Sequence, residues 1–211
     1  DFPPYEIAID DGAARYAAPL ADGSSYADCL GDGAPAIKQH YPRFDSDRGE
    51  VLTLEQVIND CRAAAGDAPW DFIGPEMSEL TAYIAWESRG EIIDVKVPDD
   101  PRAIAAYEDG KRFYYTRRGQ LNFACSSCHV TMAGNMLRAE RLSASVGHAT
   151  HWPVYRLKWQ AVGPLHRRFM ECNAQVRAVP LAAQSASYRN LEYFLTSLSN
   201  GLALNGPATR K

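Results

Sequence analysis

No apolar stretch in the 211-residue chain approaches the ~18 uninterrupted residues of a helical membrane span, so no such span is expected. Positive charge is also short. The 22 Lys and Arg stand against 26 Asp and Glu, a net charge of −4 and a pI near 5.7. That balance excludes a general nucleic-acid binder, which needs a basic footprint. There is no Gly-rich phosphate loop, no GxSxG elbow and no HExxH helix. Strict apolar–polar alternation is scarce, so sheets should be minor. Disorder has no compositional support either, with 46% hydrophobic and 23% charged residues. The length suits one large domain or two small ones. The opening Asp1-Phe2-Pro3-Pro4 is not a signal peptide and reads as a mature N-terminus left after an export signal is removed.

Cysteine is sparse but informative, at positions 29, 61, 125, 128 and 172. Cys125-Ser126-Ser127-Cys128-His129 is a CxxCH sequence, the attachment motif for c-type haem. Two thiols add across the haem vinyl groups, and the adjacent His129 is placed to ligate iron from one side. A zinc site would need two further ligands at suitable spacing, and the other cysteines are single. A redox CxxC belongs beside a βαβ pattern, which is absent. One covalently bound haem c, held by Cys125, Cys128 and His129, is therefore expected.

The chain also resembles itself. Cys61 is followed by Leu80 and Gly90, and Cys172 by Leu191 and Gly201, at the same offsets. Both closing segments are aromatic-rich helical patterns that end at glycine, a natural cap. Upstream, Asp11-Gly12 precedes Arg15-Tyr16 and then Cys29. Asp109-Gly110 likewise precedes Phe113-Tyr114 and then Cys125 and Cys128. Prolines and acids from Val95 to Pro101 suit a linker. The expected organisation is mainly α, with two tandem domains at 1–97 and 98–211. The first has Leu30 and Gly31 after Cys29, hence no axial histidine, and reads as a haem domain that has lost its haem.

Helices are predicted over Leu52–Ala65, Ala103–Tyr115 and Pro164–Gln175. Thr53 should cap the first of these, with Gln56 completing a capping box. For the second iron ligand, Met132 and Met136 read as packing at the haem edge. His148 and His151 are open between a surface place and the propionate side. His166, Met170 and Cys172 lie in the next helix, at a suitable distance to face the iron. On residue types alone Met170 has the edge, as the ordinary electron-transfer ligand.

The segment Gly163–Ala178, with Arg168, Cys172, Asn173 and Arg177, resembles the active-site helix of the SoxA family, cytochrome subunits of bacterial thiosulfate oxidation. The resemblance covers essentially the whole chain and implies two cytochrome-c-like domains. It implies iron ligation by His129 and by Cys172, the latter often a persulfide, and thiosulfate binding by Arg168. The activity implied is oxidative coupling of thiosulfate to a cysteine of the SoxYZ carrier, with electrons passing through haem to the partner cytochrome SoxX. Some members carry a second CxxCH; this chain does not, and resembles the single-haem branch. Arg168 and Cys172, one helical turn apart, share a face. A guanidinium there should favour the thiolate and can bind an oxyanion with paired hydrogen bonds. The rival is a periplasmic electron carrier with no chemistry at Cys172. Haem attachment implies export to the periplasm, an oxidising compartment, so Cys29 and Cys61 should form a disulfide.

Overall fold

Thr53 caps a helix over Leu54–Ala64, its hydroxyl accepting from the Gln56 N–H at 3.2 Å. The Gln56 side chain turns to Asp60 Oδ1 (2.9 Å), so only one side of the capping box is made. Leu54, Val57, Ile58 and Cys61 form the buried stripe of this helix. The computed structural model describes residues 2–211. In chain order the helices are α1 (Glu6–Ala17), α2 (Tyr26–Leu30), α3 (Leu54–Ala64), α4 (Pro75–Glu87), α5 (Pro101–Tyr115), α6 (Leu165–Gln175) and α7 (Ala186–Ser197). The strands are short, as the scarce alternation predicts. β1 (Arg43–Asp45) pairs antiparallel with β2 (Glu50–Leu52), placing Phe44 opposite Val51. β3 (Met136–Leu137) and β4 (Glu140–Arg141) form a second hairpin. β5 (Val154–Arg156) lies between antiparallel β6 (Ala161–Gly163) and parallel β7 (Ala208–Arg210).

The repeat extends well beyond the residues that suggest it. β1 and β5 begin at 43 and 154, β2 and β6 at 50 and 161, α3 and α6 at 54 and 165, and α4 and α7 at 75 and 186. Each pair is 111 residues apart. α1 packs on α4, and α5 packs on α7. A Cβ on Gly12 would stand 2.1 Å from the Glu79 carbonyl oxygen, and one on Gly110 would stand 2.0 Å from that of Asn190. Both crossings therefore require glycine. The backbone repeats even where the sequence does not: Gly49 and Gln160, again 111 apart, both have positive φ (71° and 51°).

Each half has its own core. Ile58, Cys61, Met77, Leu80 and Ile84 fill the first; Tyr114, Leu165, Phe169, Tyr188 and Phe194 fill the second. A third cluster, with Val51, Ile93, Val95, Tyr193 and Leu204, draws on residues from both. Gly90 and Gly201 stand beyond the ends of α4 and α7, so they shape the following turns and do not end the helices. Those turns pair with each other: Gly90 N–H donates to Leu204 and Gly201 N–H to Ile93. The stretch read as a linker is tied down, since the Asn200 amide bonds both the N–H and the C=O of Val95 at 2.9 Å. Buried polar groups also cross between the halves. Lys38 lies 3.9 Å from Glu192, and Thr53 donates to the Gln184 side chain at 2.9 Å. Among the described residues no helix is long and apolar enough to cross a membrane.

Candidate functional site

The second half holds a cleft of about 790 Å³, counting its open mouth. Its walls are mainly apolar, including Phe123, Leu142, Leu165 and Phe169. Cys125, Cys128 and Cys172, the free cysteines of the described chain, all line it. A largely apolar cleft with a few convergent polar groups is the ordinary form of a cofactor site.

The CxxCH segment follows α5. Ser127 Oγ accepts from the Ala124 N–H (3.1 Å), and residues Ser127–Thr131 wind as one wide π-helical turn. The carbonyl oxygen of Ser143 lies 2.8 Å from His129 Nδ1 and can only accept, so Nδ1 carries the proton. Nε2 keeps its lone pair, the arrangement a metal-binding imidazole needs. Burial holds His129 below the usual histidine range, outweighing the opposing pull of the Ser143 carbonyl, so the ring is neutral near pH 7.

α6 brings Arg168 and Cys172 to the cleft one turn apart. Arg168 Nη1 donates to Glu171 at 3.2 Å, and Lys158 also donates to Glu171, at 2.8 Å. Burial alone would raise the Glu171 carboxyl; the hydrogen bonds and these cations hold it below its usual range. Arg168 acts on the Cys172 thiol in the expected direction, but burial opposes it. Burial pushes the Cys172 thiol up, and Arg168 pulls it down by less. The physical reason is desolvation of the anion, which a guanidinium shared with Glu171 only partly offsets.

The other candidates lie elsewhere. Met170 packs against the second core outside the cleft, which overturns its edge on residue type. His166 is buried between the halves: its Nδ1 accepts from the Gln184 N–H (3.0 Å), and its Nε2 lies 3.1 Å from Glu192. Met132 and Met136 are exposed and do not line the cleft. Helical spacing already contained part of this answer. Residues two apart differ by about 200° around the axis, so Met170 and Cys172 face opposite ways. Arg118 is a residue that sequence reasoning passed over. It lines the cleft with its guanidinium 3.5 Å from the Phe113 ring centroid.

Cys29 and Cys61 are disulfide-bonded, with their Cα atoms 5.8 Å apart. The cleft residues fit a haem: a thiol pair and a neutral imidazole come from one segment, a further thiol from α6, and apolar side chains complete the walls.

The family model for the SoxA/TsdA cytochrome c domain matches residues 11–93, the half without CxxCH. The chain is 57% identical to the L-cysteine S-thiosulfotransferase subunit SoxA of Allochromatium vinosum, over 100% of this chain and 75% of that one. It is 48% identical to the same-named subunit of Chlorobaculum tepidum, over 100% of this chain and 73% of that one. In the crystal structure of SoxXA from P. pantotrophus, a chain 33% identical superposes with a TM-score of 0.88, covering 99% of this chain and 79% of that one. Full-length identity at this level, a shared fold and a cleft built for a c-type haem lead to one conclusion: the chain belongs to the SoxA family of L-cysteine S-thiosulfotransferase subunits, with a mainly helical, cytochrome-c-like fold.

Proposed function

We propose that this chain is the single-haem SoxA subunit that couples thiosulfate to a cysteine thiol of the SoxYZ carrier, working in the periplasm with the cytochrome SoxX. Two tandem cytochrome-c-like domains, 1–97 and 98–211, compose it, and only the second holds haem. Cys125 and Cys128 would attach the haem, and His129 and Cys172 would ligate its iron; when bound, the haem would supply electron-transfer chemistry towards SoxX.

The remaining work falls to the chain. In the net reaction an S–S bond forms between the outer sulfur of thiosulfate and the carrier cysteine. The cysteine loses one proton, and two electrons leave. Arg168 orients the oxyanion and neutralises its charge, with Glu171 holding one guanidinium N–H and leaving the others for substrate. Cys172 bonds to the outer sulfur of thiosulfate as the two electrons leave, and the carrier thiolate then attacks that sulfur, breaking its bond to Cys172 and releasing the Cys172 thiolate. The apolar walls exclude water.

The observation that carries this reading is the convergence of Cys172 and Arg168, one turn apart on α6, on the cleft that Cys125, Cys128 and His129 also line. A pure electron carrier has no use for that pairing. Intact-mass measurement of the unreduced protein tests the reading. It should report one covalent haem, one disulfide and, in a fraction of molecules, one added sulfur of about 32 Da on Cys172. Two haems, or no sulfur adduct under any thiosulfate treatment, would overturn it.

A further inference from the structure

Two buried side chains anchor α6 along one face. His166 and Asn173, seven residues apart, differ by only about 20° around the helix axis, and both are buried. His166 Nδ1 accepts from the Gln184 N–H at 3.0 Å, so the ring proton sits on Nε2. Nε2 lies 3.1 Å from Glu192 Oε2, at hydrogen-bond distance but off the N–H line. Asn173 Nδ2 donates to the Tyr188 hydroxyl at 3.0 Å, and that hydroxyl also accepts from the Leu181 N–H. Both anchors therefore run to residues 181–192, and Arg168 and Cys172 lie between them on α6.

Residues 184–192 are in turn fastened to the first half. Thr53 donates to the Gln184 side chain at 2.9 Å, Arg189 donates to Glu50, and Lys38 Nζ stands 3.9 Å from Glu192 Oε1. Glu192 belongs to both sets of contacts. It is 4% exposed, with His166 at 2% and Lys38 at 7%. Burial alone would raise its carboxyl; His166 and Lys38 hold it below the usual range, so it is a buried anion that depends on both. The repeat does not impose this arrangement. At the matching positions 111 residues earlier, His166 has Glu55 as its counterpart and Glu192 has Thr81.

We propose that His166 is a positioning residue for the sulfur chemistry: through Glu192 and Lys38 it uses the first half as a frame that fixes α6, and so sets where Cys172 and Arg168 stand in the cleft. The proposal rests on the reading that Cys172 ligates the iron and takes the sulfur. Cys172 lies about 9 Å along the axis from His166 on one hydrogen-bonded helix, so a slide at His166 reaches the sulfur undiminished. Misplacement by about 1 Å is enough to slow a reaction severely. The half without CxxCH thereby acts on the reaction although none of its described residues lines the cleft.

The test uses ferric full-length holoprotein. His166→Phe keeps a ring and removes both nitrogens; His166→Asn returns an acceptor near the Nδ1 place; Lys38→Met cuts the far end of the link and touches neither α6 nor the cleft. Electron paramagnetic resonance of the low-spin haem reads the geometry of its sulfur ligand. The g-values should shift or spread in His166→Phe and Lys38→Met, with His166→Asn nearer wild type. Thiosulfate coupling should fall about 10-fold or more in the first two. Unmoved g-values and near wild-type coupling in Lys38→Met, whatever its loss of melting temperature, overturn the proposal, because a merely structural link moves stability alone. A shift in the His166 variants with none in Lys38→Met also overturns it, by removing the first half from the effect. Should His166→Phe fail to fold, Lys38→Met and His166→Asn decide by the same readings. If Cys172→Met leaves the wild-type g-values unchanged, the reading of Cys172 as iron ligand fails instead, and the positioning with it.

Discussion

Cys61 and Cys172 stand 111 residues apart at matching points of α3 and α6, but the two halves use them differently. Cys61 is bonded to Cys29, while Cys172 faces an open cleft opposite an unbonded cysteine pair. Aromatic rings close the first half: Tyr16 packs on Tyr83 at 5.4 Å between centroids, and Tyr26 on Trp70 at 6.3 Å. Charge changes at equivalent positions too. Val57, in the first core, corresponds to Arg168, and Asp45 at the end of β1 corresponds to Arg156 at the end of β5. One backbone plan therefore supports a sealed, stapled half and a half with a cleft that has cations on its walls. The difference lies in a handful of side chains and not in the order of α3, α4 and the strands.

The sharpest way to break this contrast is to disarm the second cysteine. Cys172→Met should keep covalent haem, because other residues attach it, while thiosulfate coupling falls by about 10³-fold or more, the scale seen when a nucleophile is removed. Steady-state coupling assays beside a haemochrome measurement check this, and near-normal coupling would reduce the chain to an electron carrier.

Arg168→Val copies the first half's residue into the second. A loss of about 10- to 100-fold in kcat/KM is expected, equal to about 1.4–2.7 kcal/mol of transition-state binding. Arg168→Lys should recover only part, since lysine keeps the charge without the planar fork. Thiosulfate kinetics with an unchanged haem spectrum decide it; full activity in Arg168→Val would leave this arginine as helix surface.

The staple can be removed in turn. Cys29→Ala with Cys61→Ala should cost the first half about 3–4 kcal/mol on the chain-entropy view of a 32-residue separation, with the haem spectrum unmoved. Urea unfolding followed in parallel by haem absorbance and far-UV circular dichroism would show whether the loss is confined to that half.

The smallest effect concerns pH. Burial, and then Arg210, lower the His151 pKa from 6.5 to about 4. A depressed folded-state value means that the unfolded chain takes up the proton first. The stability held by neutral His151 is therefore complete above about pH 6.5 and is lost as pH falls towards 4. His151→Gln should flatten the pH dependence of stability in that window; an unchanged slope in urea titrations would remove His151 as its source.

Much of this molecule is local and was legible along the chain. The Cys125–His129 spacing places two thiols and an imidazole on one turn whatever surrounds it. The stripe of Leu54, Val57, Ile58 and Cys61 is a 3.6-residue period, and Thr53 caps the helix by contacts within three residues. The repeat showed through at Gly12 and Gly110 because a helix crossing tolerates no Cβ there. It did not show at Gln160, whose positive φ is held by the β5–β6 hairpin without a glycine to announce it.

The sequence alone determined that one segment carries the CxxCH motif, that the segments of α3, α5 and α6 are helical and that the chain repeats, since each is read from local pattern. Tertiary structure decided what depends on distant partners. It turned Met170 away from the cleft and Cys172 into it, and buried His166 against Glu192. It also set the balance at Cys172, where the pull of Arg168 is readable from spacing but the stronger push of burial depends on how many neighbours exclude water. Trp152, Arg156 and Arg210 come together only once β5 and β7 have paired, and no periodicity joins them along the chain.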